Sequence, residues 1–555
     1  MPRRKPTSLT AKKASQKQKR AIKRGDTSPP PPAPAQRRKR PGHPSRPPVP
    51  GRAREEREDD AVKLAARRLE SRFLKPSPSY LALSAERAST RPLRRPIPPS
   101  AARFPRELLF EDEHGRDLTC PKRPKWRYEM TKKEVERNEE GVFAKWKSET
   151  EGRFAQWLEQ ERESEGEGAG GGPSYYEWNL EVWRQLWRVT ELSDILLILL
   201  DARCPPLHYP PSLQVFLKQL RPARKLVLVL TKVDVVGHAR AEEWAQWLRE
   251  RYRGEGVRVV MVEAYRHKAP PSTAEEPQGK RAGRRVEPFL PSEFRSQLVR
   301  ALREAHEELK TPPAGEEGKW KCRVRRDVDW EAVERGLGGK VHQPEHREAE
   351  RPPPENLDEE GEGEHDAPPE YLTIGLIGQP NVGKSSLLNA LFGRPRVRAS
   401  RTPGKTKHFQ TLFLAPEVRL VDCPGLVLPS YVHMELQALA GVLPIAQLPS
   451  LPSCISYALQ VLPLERIFKL ERAESVEKRE LEAKKTWRGE RPVLDREEGG
   501  REGEWTAMQV LESYALAKGW ITAKAGRPDV GRAGNAIMRA VAEARIPWGF
   551  GLPNG

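Results

Sequence analysis

The chain has 555 residues, a formal net charge of +20 and 54 prolines, with 37% hydrophobic and 32% charged residues. Its length allows two to four domains, but this composition excludes a chain that folds throughout, because long parts cannot bury enough apolar surface to offset conformational entropy. The five cysteines are scattered and include no C-x-x-C pair, which argues against a zinc site and favours a reducing compartment. The N-terminus has no apolar core and so does not resemble a secretory signal. Together these features predict an intracellular protein.

Residues 1–60 are predicted to form a disordered basic arm. Residues 1–54 carry 17 Lys and Arg against one acidic residue, Asp26, which is a net charge of +16. Such an arm suits phosphate backbones or nuclear import, and the alternative is a tail that only keeps the protein soluble. Residues 61–172 are predicted to be polar and partly helical, with helical patterns at 60–75 and 121–160 before a Gly-rich break.

Residues 173–311 alternate between helical and strand-like patterns. A helical stripe at 178–189 is followed by apolar runs at 194–200, 225–230 and 257–262, with a helical pattern between the last two runs. This alternation predicts a parallel sheet covered by helices on both faces. Residues 312–369 are charged and rich in Pro and Gly, which predicts a disordered acidic insertion.

Residues 370–430 contain a phosphate-binding pattern in the context that it requires. An apolar run at 372–377 leads into GQPNVGKS, which fits G-x-x-x-x-G-K-[ST], and a helical stripe follows. Glycines let backbone N–H groups surround a phosphate chain at the positive end of the helix. Lys384 is predicted to reach the outer phosphates and Ser385 to bind magnesium. The alternative is a chance match in a turn.

Two further motifs follow predicted strands. The strand at 418–421 runs into Asp422-Cys423-Pro424-Gly425, a D-x-x-G sequence whose aspartate is predicted to hold magnesium through water. The strand at 225–230 runs into Thr231-Lys232-Val233-Asp234. A carboxylate there can accept two hydrogen bonds from the donor edge of guanine, a pattern that adenine lacks. The sequence therefore predicts a pocket selective for guanine.

Residues 431–555 are predicted to form a mainly helical region. The charge-free stretch at 436–464 is long enough to raise the question of a membrane span, but its prolines and polar residues favour buried helices. Arg527, Arg532 and Arg539 are candidate RNA contacts, with an ordinary solvated face as the alternative. Residues 473–505 are highly charged and predicted to be loose.

The motifs TKVD, GQPNVGKSS, TPGKT and DCPG occur in an order that places base recognition before the phosphate loop. In this combination the chain resembles the circularly permuted GTPases of the guanine nucleotide-binding protein-like 1 and large-subunit GTPase type, over most of residues 121–265 and 371–545. The resemblance implies an α/β fold, a circularly permuted G domain with a six-stranded, mainly parallel sheet. It also suggests that the nucleotide state is transmitted to residues 430–555 through the loop after Asp422.

The resemblance implies a set of site residues. Lys384, Thr406 and Gly425 would be catalytic, and Ser385, Thr406 and Asp422 would hold magnesium. The nucleotide-binding residues would be Thr231, Lys232, Asp234, Ala264, Gly378, Asn381, Val382, Gly383, Lys384, Ser385, Ser386, Asp422 and Gly425.

Two residues depart from the pattern of the family. Thr231 replaces the usual asparagine of N-K-x-D, which removes an amide that ties the base to the phosphate loop. Leu426 stands where many small GTPases have a glutamine that orients the attacking water, so slow intrinsic hydrolysis is expected, with help from a partner or a monovalent cation. Asn381 is a candidate ligand for potassium, and the alternative is that it only shapes the loop.

The resemblance and the basic arm favour a GTPase switch that hydrolyses GTP to GDP and phosphate in large-subunit ribosome biogenesis. Its expected partners are ribosomal RNA or pre-ribosomal particles, with no membrane and a monomeric state. The alternative is a regulatory GTPase that controls a protein partner and uses the arm only for import. The nucleus, the nucleolus and the cytoplasm all remain open as its location, as does shuttling between them.

Overall fold

The computed structural model describes residues 71–73, 76–109, 117–127, 129–165, 171–267, 286–312, 322, 324–335, 370–397, 410–472, 505–522 and 526–553. The predictions for the basic arm, for Thr406 and for residues 473–504 lie outside these ranges, as do most of the helical pattern at 60–75 and most of the predicted acidic insertion.

Among the described residues before the sheet, the α-helices are α1 (Pro78–Thr90), α2 (Lys132–Glu165) and α3 (Leu180–Leu192). The helical pattern predicted from residue 121 therefore begins eleven residues later, because Pro121 and Pro124 disfavour helical backbone around them. At the start of α2, the Thr131 backbone N–H donates to Glu134 Oε2 at 2.8 Å, and the Glu134 N–H donates to Thr131 Oγ1 at 3.4 Å. This reciprocal pair is a capping box, which fixes where the helix starts.

A six-stranded sheet forms the centre of the fold. Its strands are β1 (Ile195–Asp201), β2 (Lys225–Thr231), β3 (Arg258–Met261), β6 (Leu372–Ile377), β7 (Gln410–Ala415) and β8 (Val418–Asp422), and a separate hairpin joins β4 (Tyr265–His267) to β5 (Val286–Pro288). The order in the sheet is β3-β2-β1-β6-β8-β7, and only β7 runs antiparallel to its neighbour. The predicted permuted α/β fold is confirmed, with the two parts of the chain meeting where β1 pairs with β6.

The apolar composition of the central strands explains their position. Every residue of β1 and of β6 is buried, as expected of parallel strands that helices cover on both faces. The helices that accompany the sheet in the chain are α4 (Pro205–His208), α5 (Pro211–Lys218), α6 (Val233–Val236), α7 (His238–Arg251), α8 (Ser292–Lys310), α9 (Trp330–Arg335) and α10 (Lys384–Leu391). The parallel strands therefore end together at one edge, which carries the loops of the candidate site.

Helix α9 is a correction to the predicted disorder of residues 312–369. Trp330 is 8% exposed and Val333 is 1% exposed, and the ring of Trp330 packs at 5.7 Å from that of His306 on α8. A few apolar residues in an otherwise charged segment are enough to dock one short helix on the domain. The charged, Pro- and Gly-rich composition of residues 312–369 as a whole predicts disorder even though this short apolar pattern lies within it.

The C-terminal region contains α11 (Met434–Leu439), α12 (Leu451–Val461), α13 (Leu464–Ile467), α14 (Ala507–Ala517) and α15 (Val530–Ala542). The charge-free stretch at 436–464 forms buried helices, as predicted; Leu439 and Ile455, for example, are fully buried. In the described ranges, no helix has both the length and the apolar character needed to cross a membrane.

Candidate nucleotide-binding site

The predicted phosphate loop connects the end of β6 to the start of α10. Asn381 has a φ of 57° and Gly383 a φ of 113°, so the chain turns through left-handed backbone at both positions. Only glycine adopts the second conformation readily. A side chain at Gly378 would also lie 3.1 Å from the carbonyl oxygen of Leu199. The loop wraps around the N-terminal end of α10, which is the arrangement that binds phosphate.

Lys384 is the first residue of α10 and lies inside the loop. Its Nζ donates to the carbonyl oxygens of Gly378 at 2.6 Å and of Gln379 at 2.8 Å, and the residue is only 7% exposed. Burial lowers its pKa to about 8, although the nearby Asp422 favours the charged form. A positive charge in this position is suited to binding the outer phosphates of a nucleotide.

Asp422 ends β8 and lies close enough to Lys384 for their charges to interact. Both of its carboxylate oxygens are buried without a hydrogen-bond partner in the described structure, and burial raises its pKa to about 6 against the opposing effect of Lys384. Buried carboxylate oxygens without partners fit a divalent cation. The described ranges contain no cluster of three or more His, Cys, Asp or Glu that could hold a metal. A single buried carboxylate fits magnesium, which takes one or two carboxylates together with hydroxyl and phosphate oxygens.

Gly425 brings the D-x-x-G segment against the phosphate loop. A Cβ atom at Gly425 would lie 2.8 Å from the Cα atom of Pro380, too close for any side chain. The next residue, Leu426, is 2% exposed. This close approach places the backbone of Gly425 beside the phosphate loop. The side chain of Leu426 is apolar and has no group that could hydrogen-bond to a water molecule.

The T-K-x-D sequence lies against the phosphate loop from the other side. The Thr231 hydroxyl lies 2.5 Å from the carbonyl oxygen of Val382 and 3.0 Å from that of Leu200. Thr231 lacks the amide of the usual asparagine, and its hydroxyl contacts the phosphate loop instead. Lys232 has a φ of 58°, and Asp234 is exposed in the short helix α6.

Ala264, predicted to support the base, immediately precedes β4 and is partly buried. The hydroxyl of its neighbour Tyr265 lies 2.9 Å from Ser386 Oγ on α10. This contact brings the predicted base-support segment to the N-terminal end of α10. The sequence suggests this segment as a support for the base, but the contact of the Tyr265 hydroxyl with α10 is visible only in the structure.

Two further contacts around the pocket were also missed. Gln379 in the phosphate loop donates through Nε2 to the carbonyl oxygen of Leu207 at 2.5 Å. Lys232 Nζ donates to Asp201 Oδ2 at 2.6 Å. Asp201 is the last residue of β1, where the sequence pattern shows the end of a strand and assigns no role to the side chain.

At the carboxyl edge of the sheet, the phosphate loop contacts the end of β2 through Thr231 and Val382, and the D-x-x-G segment through Gly425 and Pro380. This edge combines a loop that can surround phosphates, a buried carboxylate suited to magnesium and a motif with a guanine-type carboxylate. Thr406, the remaining predicted magnesium ligand, lies outside the described residues.

Comparison with known proteins agrees with this chemistry. A family profile described as "50S ribosome-binding GTPase" matches residues 373–452. Guanine nucleotide-binding protein-like 1 of Homo sapiens is 33% identical over 444 residues, which cover 79% of this chain and 66% of that protein. The protein of the same name from Rattus norvegicus is 32% identical over 477 residues, covering 84% and 70% of the two chains. The chain thus spans just under two thirds of the length of the human relative.

More distant matches include a plant protein and a bacterial structure. GTPase LSG1-2 of Arabidopsis thaliana is 29% identical over 458 residues, covering 81% of this chain and 65% of that protein. A GDP-bound structure of YlqF is 16% identical, with a TM-score of 0.33, and covers 67% of this chain and 99% of that one.

Proposed function

We propose that this chain, which belongs to the guanine nucleotide-binding protein-like 1 family of circularly permuted GTPases, binds guanine nucleotides with magnesium and hydrolyses GTP to GDP and phosphate as a molecular switch. The main support is the contact between Thr231 and Val382, which brings the T-K-x-D motif against the phosphate loop. The buried, unpartnered carboxylate of Asp422 beside Lys384 supports the assignment of magnesium.

In the proposed reaction a water oxygen bonds to the terminal phosphorus, and the bond from that phosphorus to the bridging oxygen of GDP breaks. Lys384 stabilises the negative charge on the transferred group, and the backbone N–H of Gly425 orients the terminal phosphate. Magnesium, held by Asp422, Ser385 and Thr406, would supply further charge neutralisation. The apolar Leu426 cannot position water, so we expect slow intrinsic hydrolysis.

Nucleotide binding and turnover test this proposal. Purified full-length protein should bind GDP and GTP in preference to ADP and ATP, and should release phosphate slowly from GTP in the presence of magnesium. Lys384→Ala should abolish both, because it removes the charge that holds the phosphates. Lys145→Ala is the matched control, since that side chain is 80% exposed on α2. Equal binding in Lys384→Ala and the wild type would contradict the proposal.

We further propose that the switch acts in large-subunit ribosome biogenesis, with ribosomal RNA or pre-ribosomal particles as its partners. The support is the basic arm, with its net charge of +16 over residues 1–54, together with the description of the matching family as ribosome-binding. A chain that neutralises phosphates with Lys and Arg releases counterions, so its binding weakens steeply with salt.

Sedimentation of cell extracts distinguishes this role from control of a protein partner. The wild type should migrate with large-subunit precursors at about 50 mM salt and leave them at about 200 mM. A variant without residues 1–54 should leave them at lower salt. Migration away from all ribosomal particles at low salt would favour the regulatory alternative.

A further inference from the structure

A buried ion pair ends strand β1, next to the guanine-recognition motif. Asp201 and Arg203 both have side chains with 0% exposure. Arg203 Nη2 donates to Asp201 Oδ2 at 2.7 Å, and Arg203 Nε lies 3.1 Å from both carboxylate oxygens. Burying two charges is costly unless the geometry is good and the remaining hydrogen-bond donors are satisfied. The other hydrogen-bond partners of Asp201 and Arg203 therefore show which parts of the fold this ion pair links.

Asp201 also holds the lysine of the T-K-x-D motif. Lys232 Nζ donates to Asp201 Oδ2 at 2.6 Å, and Lys232 adopts left-handed backbone with a φ of 58°. Strand register explains the contact, because Asp201 on β1 pairs directly with Thr231 on β2. Although burial by itself would raise the pKa of Asp201, the cations of Arg203 and Lys232 hold that pKa well below its usual range. The two cations therefore favour the charged form of this carboxylate.

The remaining donors of Arg203 reach the C-terminal region. Nη2 donates to the carbonyl oxygen of Ala440 at 2.9 Å, and Nη1 lies 3.2 Å from those of both Val541 and Ala542. The last two residues end helix α15, where carbonyl groups lack partners in the helix and favour a positive charge. The ring of Trp548 covers the guanidinium, with its centroid 4.7 Å from Cζ.

The phosphate loop touches the same part of the C-terminal region. Asn381 Nδ2 donates to the carbonyl oxygen of Gly441 at 2.9 Å. A side chain on Gly441 would lie 3.3 Å from the Cβ atom of Ala542, at the end of α15. The segment at 440–441 is therefore in contact with Arg203, with the phosphate loop and with α15.

We propose that Asp201 is a positioning residue for guanine recognition, because it fixes the side chain of Lys232. Asp201 also holds Arg203 against the end of α15, and in this way it couples guanine binding to docking of that C-terminal helix. The inference rests on the proposed guanine-nucleotide function. Two sites linked by one carboxylate affect each other reciprocally, so a bound nucleotide should also tighten the docking of α15. This connection is separate from the loop after Asp422, because it passes through the ends of β1 and β2.

A double-mutant cycle tests the first part of the inference. Asp201→Asn should weaken GDP binding by about tenfold or more, within the usual range of coupling between sites. If Asp201 acts through Lys232, adding Asp201→Asn to Lys232→Ala should change the affinity by less than about twofold. Asp194→Asn is the matched control, because that buried carboxylate immediately precedes β1 at its opposite end and accepts from the Thr373 N–H at 2.8 Å.

A second variant keeps the test valid if Asp201→Asn does not fold. Trp548→Ala should loosen α15 and weaken GDP binding about fivefold or more, although Trp548 belongs to no nucleotide motif. Trp247→Ala removes another tryptophan that lies over an arginine, with Arg251 Cζ 5.0 Å from its ring, and should leave GDP affinity unchanged. Hydrogen exchange over residues 530–542 should slow when GDP binds to the wild type, and should not respond in Arg203→Lys.

The outcomes separate this inference from the proposed function. If the wild-type protein binds no guanine nucleotide, the proposed function is wrong, and so is the proposed coupling between guanine binding and docking of α15. A wild type that binds GDP normally while Asp201→Asn and Trp548→Ala bind it equally well overturns this inference alone. Additive effects of Asp201→Asn and Lys232→Ala would also overturn it, since they would show that Asp201 does not act through Lys232.

Discussion

The Thr231 hydroxyl lies 2.5 Å from the carbonyl oxygen of Val382, a residue 151 positions later in the chain. Thr231 ends β2 and is 4% exposed, and Val382 is fully buried in the phosphate loop. This short side chain connects the part of the domain that carries the base motif to the part that carries the phosphate motif. A hydroxyl thus replaces the amide that relatives of the N-K-x-D type place at this position.

Thr231→Val should destabilise the protein by about 1–3 kcal/mol, because it removes a buried hydrogen bond without changing the shape of the side chain. It should also weaken GDP binding, since it loosens the phosphate loop against the base motif. The free energy of unfolding in urea and the Kd for GDP measure the two effects. Thr231→Ser keeps the hydroxyl and is the control; identical values for the two variants would contradict the role of this contact.

Asp422 predicts a pH dependence of stability. Burial raises the pKa of this carboxyl group to about 6 in the folded protein. The folded state therefore binds the proton more tightly than the unfolded state, and this contribution to stability is present below about pH 4 and lost as the pH rises through about 6. The loss amounts to about 3 kcal/mol.

Urea unfolding of the wild type and of Asp422→Asn from pH 4 to pH 7 checks this prediction. Without magnesium or nucleotide, the variant should gain about 2 kcal/mol on the wild type over that range, because its side chain does not titrate. Magnesium with GDP should then stabilise the wild type more than the variant. Parallel pH curves for the two proteins would show that Asp422 has no raised pKa.

Gly425→Ala tests the close approach of the D-x-x-G segment to the phosphate loop. The added methyl group would lie 2.8 Å from the Cα atom of Pro380, so the backbone has to move and the rate of GTP hydrolysis should fall more than tenfold, on the order of one lost transition-state contact. Gly152→Ala is the control, because nothing lies within 4 Å of the added atom on helix α2. Unchanged single-turnover hydrolysis in Gly425→Ala would contradict the prediction.

Asn381 is the candidate ligand for potassium. Its Nδ2 is used in the contact with Gly441, so Oδ1 is the atom that could bind a cation. If it does, single-turnover hydrolysis of GTP should be faster in potassium than in sodium, and Asn381→Ala should remove the difference. Equal rates in both salts would leave Asn381 only the role of shaping the loop.

The strands and the phosphate loop were predictable because their signals are local. The apolar runs at 194–200 and 225–230 match β1 and β2 to within one residue, and the G-x-x-x-x-G-K-[ST] pattern specifies its own turn. The contacts that close the pocket were not predictable. Thr231 with Val382, Tyr265 with Ser386 and Lys232 with Asp201 depend on strand register or on packing between distant segments, which a periodicity does not contain.

Helix α9 lies in a segment whose overall composition predicts disorder. Its apolar residues were present in the sequence, but the surrounding charged and Pro-rich composition led to a prediction of disorder over the whole of residues 312–369. Packing of Trp330 against His306 outweighs that composition locally. Windows of six residues are too short for periodicity to separate such a helix from a loop.

Base selectivity is the central claim, and competition binding with Asp234→Asn tests it most directly. A carboxylate accepts from two donors of guanine, whereas an amide can donate to the carbonyl that xanthine carries in place of the guanine amino group. The wild type should bind GDP at least about 100-fold more tightly than ADP or XDP, and Asp234→Asn should prefer XDP. Equal affinity of the wild type for GDP and ADP, or an unchanged base preference in Asp234→Asn, would contradict the account.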